Sequence, residues 1–243
     1  MSKQTDISSI AELYPFKPKV MDLDGLSCSY VDEGVGEPVL MVHGNPSWSF
    51  LYRNLILALR GSRRVIAPDH IGCGLSDKPQ DFDYTLASHV ANLEKFVRML
   101  GLRDITLVVH DWGGPIGLGV AGRNPDLFKR IIITNTAAFP FSRIPARINV
   151  CRAPVLGEFM MRRLNLFCIM AQYMTTEKPM PADVRRGYIL PYSSYADRIA
   201  VARFVQDIPM GPSARSYEAL LGIEGKLGLL KDKDIHIIWG MRD

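Results

Sequence analysis

The chain has 243 residues, of which 47% are hydrophobic and 22% are charged. This balance is typical of a folded globular protein with a sizeable core and not of a disordered chain. The net charge is only +4, and the Lys and Arg residues form no cluster longer than a pair, which disfavours nucleic-acid binding.

Cysteine usage and the N-terminus indicate the cellular compartment. The four cysteines are far apart and form no C-x-x-C pair, so we expect reduced thiols and neither a zinc site nor a disulfide framework. The N-terminus has no apolar segment of the kind found in secretory signals. No run of about 18 apolar residues is present, so no membrane span is expected, and a cytoplasmic protein is predicted.

The first half of the chain alternates between predicted strands and predicted helices. Strands are expected at 25–33, 38–43, 63–69, 105–110 and 131–136, and helices at 49–60, 85–101 and 114–123. Thr85 fits the N-cap and Gly101 the C-cap of the helix over 85–101. Alternation of this kind predicts parallel strands joined by crossover helices.

The alternation stops after residue 136. Residues 137–215 mix Pro, Met, Arg and Tyr with helical stretches such as 155–174, which predicts a helical cap inserted into the core. A helix near 216–230 and a strand at 235–239 follow. We therefore expect a core over 1–136, a cap over 137–215 and a return to the core over 216–243.

Asp111 follows the predicted strand 105–110 in the segment Val-His-Asp-Trp-Gly-Gly. This segment has the form of a nucleophile elbow, a sharp strand-to-helix turn that lifts one side chain out of the sheet, with Val109 where the pattern has a small residue. A carboxylate with an unperturbed pKa of about 3.9 needs no base to act as a nucleophile at neutral pH. The alternative is that Asp111 only caps the following helix.

The segment His43-Gly44-Asn45-Pro46 follows the strand 38–43, where a second oxyanion donor is expected. The backbone N–H groups of Asn45 and Trp112 could stabilise developing negative charge, and their side chains add two further donors. The alternative is a plain turn beside a core aromatic residue. The later Gly-x-Gly of residues 72–74 lacks the third glycine of a dinucleotide fingerprint, so we expect a structural loop there.

These motifs resemble a known family. HGNPSWSFLYRN, DHIGCGLSDKP and VVHDWGG are similar to the haloalkane dehalogenase branch of the α/β-hydrolases. ITNTAAFP (133–140), the stretch 185–210 and IIWGMRD resemble the β-lactone decarboxylases of bacterial olefin biosynthesis. The resemblance covers nearly the whole chain.

The resemblance implies an α/β-hydrolase fold and the conversion of a long-chain β-lactone to an alkene and CO2. By position, Asp111 matches the nucleophile, Asn45 and Trp112 the pair that stabilises the leaving anion, and Asp243 the triad acid. No metal or organic cofactor is implied. The resemblance implies a small hydrophobic substrate. It also implies assembly with other enzymes of the olefin pathway.

The chain departs from the family at the triad histidine, which should follow one more strand beyond Asp243. None of the five histidines fits that role: they are His43, His70, His89, His110 and His236. We therefore expect a mostly parallel sheet whose C-terminal strand and helix are missing, with a truncated sequence as the explanation. The alternative is a non-catalytic binding protein.

Two other activities remain open. Haloalkane dehalogenation would use the same residues to hold a halide. Epoxide hydrolysis would use cap tyrosines, for which Tyr188, Tyr192 and Tyr195 are candidates, although we expect them to pack the cap. The Met- and Leu-rich stretch 157–174 suits either a lid over alkyl chains or ordinary packing. A membrane-surface helix is disfavoured because only two adjacent arginines interrupt the apolar run and no cationic face forms.

Overall fold

The computed structural model describes residues 5–241. Asp243, which the resemblance assigns as the triad acid, lies outside the described residues. Within them one mixed sheet of seven strands organises the molecule. The strands are β1 (Lys19–Leu23), β2 (Leu26–Glu33), β3 (Pro38–Val42), β4 (Arg64–Pro68), β5 (Ile105–His110), β6 (Phe128–Thr134) and β7 (Asp234–Ile238).

The strands lie in the order β1-β2-β4-β3-β5-β6-β7. The pairs β1/β2 and β2/β4 are antiparallel, and all the pairs from β4 to β7 are parallel. This arrangement agrees with the predicted mostly parallel sheet. The strand β1 was not predicted, because only alternate positions of KVMDL are buried and its run is short.

Nine α-helices occur in the described part of the chain. They are α1 (Arg53–Leu59), α2 (Leu86–Met99), α3 (Gly113–Arg123), α4 (Ala146–Cys151), α5 (Pro154–Glu158), α6 (Leu166–Met174), α7 (Ala182–Ile189), α8 (Ile199–Gln206) and α9 (Tyr217–Glu224). None of the helices within residues 5–241 has the length and apolar character needed to cross a membrane.

The central strand β3 is apolar throughout because it faces a core on each side. In β3, Leu40 and Val42 belong to the core under α2, α3 and α9, whereas Val39 and Met41 belong to the core on the other side, with α1. Successive residues of a strand point to opposite faces. The sheet is thus fixed from both sides, and the carboxyl ends of β3 and β5 lie next to each other.

The predicted limits of α2 are confirmed. The Thr85 hydroxyl accepts a hydrogen bond from the Ser88 N–H at 3.3 Å, and the helix ends before Gly101, which has φ +61°. A glycine in this left-handed conformation is the common way to end a helix, because it has no Cβ to clash. Local sequence therefore determines both ends of this helix.

The predicted helical stretch over 155–174 is helical for most of its length, but it is not one regular helix. The chain forms α5, then a π-helical turn over Phe159–Arg163, and only then α6. Asn165 separates them with φ +56°, and a residue in this left-handed conformation cannot continue a right-handed helix. The break turns α6 relative to α5.

Helices α4 to α8 lie between β6 and β7 in the chain and are tied to the core. The Trp48 indole N–H donates to the Gly187 carbonyl at 3.0 Å, and the Tyr192 hydroxyl donates to the Ser47 carbonyl at 3.1 Å. These hydrogen bonds join α7 and the turn after it to the segment that follows β3. The proposed boundaries of the cap at 137 and 215 stay a prediction.

Strand β7 is exposed over its whole length. Ile237 and Ile238 each have more than half of their surface exposed, although residues of this kind usually lie in a core. The strand pairs with β6 on one side. Its sequence predicts a strand correctly, but not its exposure.

Candidate active site

Asp111 lies at the turn between β5 and α3, as the elbow motif predicts. Its φ is +51°, a conformation that non-glycine residues seldom adopt and that costs free energy. Two residues after β6 hold it: the Asp111 N–H donates to the Asn135 carbonyl at 3.0 Å, and the Thr136 hydroxyl donates to the Asp111 carbonyl at 2.5 Å. Sequence reasoning did not identify these two supporting residues, although both follow a strand that neighbours β5.

Gly113 and Gly114 allow the elbow to pack closely. A Cβ on Gly113 would overlap the Val42 carbonyl oxygen, and a Cβ on Gly114 would overlap the Thr136 hydroxyl. The first turn of α3 therefore lies directly against the ends of β3 and β6. The elbow requires glycine at these two positions because a larger side chain would collide with the neighbouring strand ends.

The turn after β3 meets the Asp111 carboxylate. The Asn45 backbone N–H donates to Asp111 Oδ1 at 2.6 Å. A Cβ on Gly44 would collide with the same carboxylate and approach the Trp112 backbone nitrogen. The structure thus brings together Asp111, Asn45 and Trp112, three of the four residues predicted for the site.

The side chains of Asn45 and Trp112 contact helix α8. The Asn45 amide nitrogen donates to the Val201 carbonyl at 3.1 Å, and the Trp112 ring lies 5.3 Å from the ring of Phe204, between centroids. The Asn45 amide nitrogen carries two hydrogens and can donate to a second acceptor as well. Asn45 Oδ1 is buried without a hydrogen-bond partner. The cap helix therefore orients both side chains.

His43 and His70 build the turn. The Nε2 atom of His43 accepts from the His70 backbone N–H at 3.1 Å, so its Nδ1 carries the proton and donates to the Gly44 carbonyl at 2.8 Å. The His70 Nε2 atom lies 2.9 Å from the His43 carbonyl. Burial lowers the pKa of His43 well below its usual value and that of His70 to about 4. Both rings are therefore neutral and structural at pH 7.

Two further histidines also have structural surroundings. His89 on α2 is fully buried and stacks on Phe204 with ring centroids 4.5 Å apart, and burial lowers its pKa well below the usual value. His236 on β7 is exposed and lies 2.9 Å from Asp234. The absence of a triad histidine from residues 1–243 stays a prediction.

Asp69 is a buried carboxylate at the end of β4. It accepts hydrogen bonds from the backbone N–H groups of Ser49 at 2.7 Å and Leu75 at 2.9 Å. Burial raises its pKa to about 6. Together with the hydrogen bond from the Gly72 N–H to the Asp77 carbonyl at 2.7 Å, these contacts support the prediction of a structural loop at this position.

The three cap tyrosines pack as predicted. Tyr192 is buried, and its hydroxyl donates a hydrogen bond to the Ser47 carbonyl. The Tyr188 ring lies edge-on to Phe50 with centroids 5.2 Å apart. The ring of Tyr195 lies under the guanidinium group of Arg162, at 3.9 Å. These contacts favour the packing role over proton donation to an epoxide.

Comparison with known proteins identifies the relatives of this chain. A family model described as the alpha/beta hydrolase fold matches residues 37–152. The cis-3-alkyl-4-alkyloxetan-2-one decarboxylase of Shewanella oneidensis is 45% identical over 95% of this chain and 75% of that protein. The protein of the same name from Xanthomonas campestris is 44% identical over 95% of this chain and 81% of its own length.

Haloalkane dehalogenases are also similar. Haloalkane dehalogenase 2 of Mycobacterium tuberculosis is 34% identical over 98% of this chain and 82% of that protein. The crystal structure of the haloalkane dehalogenase DatA of Agrobacterium tumefaciens superposes with a TM-score of 0.81 at 27% identity, over 92% of this chain and 78% of that one. The chain therefore belongs to the α/β-hydrolase family of enzymes, in the branch that contains these decarboxylases and the haloalkane dehalogenases.

Proposed function

We propose that this enzyme decarboxylates a cis-3,4-dialkyl β-lactone to an alkene and CO2, with Asp111 as its nucleophile. The observation that carries the proposal is the identity of 45% and 44% to two proteins named for this activity, over 95% of the chain. The named dehalogenase relatives reach 34%. The contact between the Asp111 carboxylate and the Asn45 N–H supports an attacking carboxylate at this position.

The two oxygens of Asp111 have different roles. We propose that Oδ2 attacks the substrate while Oδ1 keeps the hydrogen bond from the Asn45 N–H. Because a carboxylate is ionised at pH 7, no base is needed for this step. The negative charge that remains on Oδ1 in the ground state is held by the same backbone donor.

The reaction balances without water or a cofactor. Asp111 Oδ2 forms a bond to the alkyl-bearing ring carbon that is attached to the ring oxygen. The bond between that carbon and the ring oxygen breaks, which leaves a free carboxylate. The bond between this carboxylate and the neighbouring carbon then breaks. Its electron pair forms the alkene, and the ester bond to Asp111 breaks, which releases CO2 and restores the aspartate.

Asn45 and Trp112 are proposed to stabilise the leaving carboxylate. The Asn45 amide and the Trp112 indole both carry N–H donors, and both side chains contact α8. Preorganised donors of this kind stabilise charge that develops in the transition state. Asp243 is proposed as the triad acid, by its place in the family motif alone.

The second candidate is haloalkane dehalogenation, which the 34% identical relatives favour. The same donors would hold a halide, and the ester on Asp111 would then be hydrolysed by an activated water. Epoxide hydrolysis ranks below it because the three cap tyrosines are engaged in packing. A non-catalytic binding protein ranks last.

We further propose a cytoplasmic enzyme that can assemble with other enzymes of an olefin pathway. The four cysteines are free, which fits a reducing compartment. The proposed assembly rests on resemblance to the decarboxylases.

The test supplies a long-chain cis-β-lactone and a 1-bromoalkane in parallel to the purified protein and measures alkene and free bromide. Alkene formation without comparable bromide release is expected, and the Asp111→Asn variant should form no alkene. Bromide release without alkene would overturn the proposal in favour of a dehalogenase. No product from either substrate with folded protein would also overturn it.

A further inference from the structure

Helix α6 carries its polar and apolar residues on unexpected sides. Cys168 and Gln172 face inward and are buried, whereas Ile169, Met170 and Tyr173 are 38%, 46% and 59% exposed. A surface helix of a soluble protein usually shows the reverse arrangement, with polar residues facing water. The outward apolar residues need a reason other than packing.

The neighbouring helix α5 extends the same feature. Val155, Leu156 and Phe159 are 85%, 55% and 51% exposed. The two helices lie on either side of the π-helical turn in the chain. We call these six residues the outer cap patch: Val155, Leu156, Phe159, Ile169, Met170 and Tyr173. An apolar surface that is larger than scattered single residues marks an interaction site.

Two basic side chains lie close to the outer cap patch, in a segment with a net positive charge. Residues 137–215 contain eleven Arg and Lys residues and five Asp and Glu residues, a net charge of +6, whereas the whole chain carries +4. Arg163 is exposed in the turn between the two helices, and the Arg185 guanidinium lies 5.4 Å from the centre of the Tyr173 ring. Glu158, the last residue of α5, is paired with Arg162 and Arg203.

The cationic groups belong to neighbouring segments and not to the face of α6. Arg163 precedes α6 in the stretch 157–174, whereas Arg185 lies on α7 and comes close only in the folded protein. The folded cap combines exposed apolar residues with nearby basic side chains. This combination fits a surface that is apolar inside and negatively charged at its rim.

We propose that the outer cap patch binds the surface of a bilayer that contains anionic lipids. The apolar side chains would enter the boundary between head groups and acyl chains, and Arg163 and Arg185 would face the anionic head groups. The proposed substrate has two alkyl chains and partitions into such a bilayer. That link alone rests on the proposed function, since binding to the bilayer does not require catalysis.

The test measures flotation of the purified protein with vesicles of phosphatidylcholine alone and of equimolar phosphatidylcholine and phosphatidylglycerol. We expect binding to the anionic vesicles that weakens at high salt. The double variant Ile169→Gln/Met170→Gln should bind about tenfold more weakly, and Arg163→Gln about fivefold more weakly. The matched control Val20→Gln/Val35→Gln changes two exposed apolar residues, one on β1 and one in the turn between β2 and β3, and it should bind like the wild type.

Three outcomes would overturn the proposal. They are no binding of the wild type to either vesicle, an equal loss of binding in the control variant, and a wild type that self-associates without binding vesicles while the Ile169→Gln/Met170→Gln variant is monomeric. The last outcome would assign the patch to a second copy of the chain. Vesicle binding without lactone turnover would leave this proposal standing and overturn only the proposed function.

Discussion

Asp111 has a left-handed backbone conformation, and its neighbours hold it there. The carbonyl of Asn135, the hydroxyl of Thr136 and the close approach of Gly113 to β3 all restrict it. A strained residue persists only where its surroundings determine its conformation, and such residues are concentrated at functional sites. The elbow therefore depends on its neighbours as much as on Asp111.

The first prediction concerns the space at Gly44. A Cβ at this position would collide with the Asp111 carboxylate, so Gly44→Ala must separate Asn45 from Asp111. We expect lactone turnover to fall at least tenfold, and the free energy of unfolding to fall by about 1–3 kcal/mol because the site is overpacked. Steady-state kinetics and chemical denaturation measure both effects.

Gly222→Ala is the matched control for this prediction. Gly222 lies in α9, and a Cβ there would meet nothing within 4 Å. Alanine favours a helix over glycine by about 0.8–1.0 kcal/mol, so this variant should be slightly more stable and fully active. Wild-type turnover by Gly44→Ala would contradict the role of the close approach.

The second prediction concerns the indole N–H of Trp112. The Trp112→Phe variant keeps an aromatic ring to pack on Phe204 but removes the donor. Loss of one donor to developing charge commonly costs about 100- to 1,000-fold in kcat. We expect a loss of this size in alkene formation with a melting temperature within a few degrees of the wild type. An unchanged kcat would exclude the indole from charge stabilisation.

At the scale of the elements, α2 and α8 meet through His89 and Phe204. Both ring nitrogens of His89 are buried without hydrogen-bond partners, and the ring stacks on Phe204. A buried polar group without a partner costs about 1–3 kcal/mol. The contact between His89 and Phe204 joins α2 to α8, and the unpaired ring nitrogens of His89 lower the free energy of unfolding.

The third prediction is that His89→Phe stabilises the protein, and increasingly so in acid. Burial lowers the pKa of His89 in the folded state, so the unfolded chain binds a proton below about pH 6.5 while the folded protein does not. Acid therefore favours unfolding through this residue by up to about 1.4 kcal/mol per pH unit. Denaturation of both proteins at pH 7 and pH 5 should show a larger difference at pH 5.

The fourth prediction concerns Asp207, which follows α8 and accepts the Leu86 N–H at 3.0 Å, at the start of α2. Burial raises its pKa to about 6, so the folded protein holds this proton between pH 4 and 6 while the unfolded chain releases it. The wild type therefore loses stability through Asp207 as the pH rises over this range. The free energy of unfolding of Asp207→Asn, relative to that of the wild type, should rise by about 2 kcal/mol from pH 4 to pH 6. A difference between the two proteins that does not change with pH would contradict this account.

At the scale of the whole molecule, the sequence predicts what local patterns determine. The buried strands, the caps of α2 and the positions of Asp111, Asn45 and Trp112 follow from apolar runs and from motifs at strand ends. The half-exposed strand β1 and the break at Asn165 have no comparable pattern. The outward face of α6 depends on how the cap packs, and periodicity does not show which apolar face a helix buries.

The fifth prediction combines the buried titratable groups. Three fully buried histidines, His43, His70 and His89, have lowered pKa values, so each favours unfolding as the pH falls below about 6.5. Two buried carboxyls, Asp69 and Asp207, have a pKa of about 6 and act in the opposite direction over the same range. Near pH 5.5 the unfolded chain should therefore bind about one more proton than the folded protein.

This balance predicts a free energy of unfolding that falls by about 1–2 kcal/mol from pH 6 to pH 5. His89→Phe removes one of the three histidine contributions, so its profile should be nearly flat over this interval. Asp207→Asn removes one of the two opposing carboxyls, so its profile should be about twice as steep as that of the wild type. Equal slopes in the three proteins, measured by denaturation across the interval, would show that burial does not control these protons.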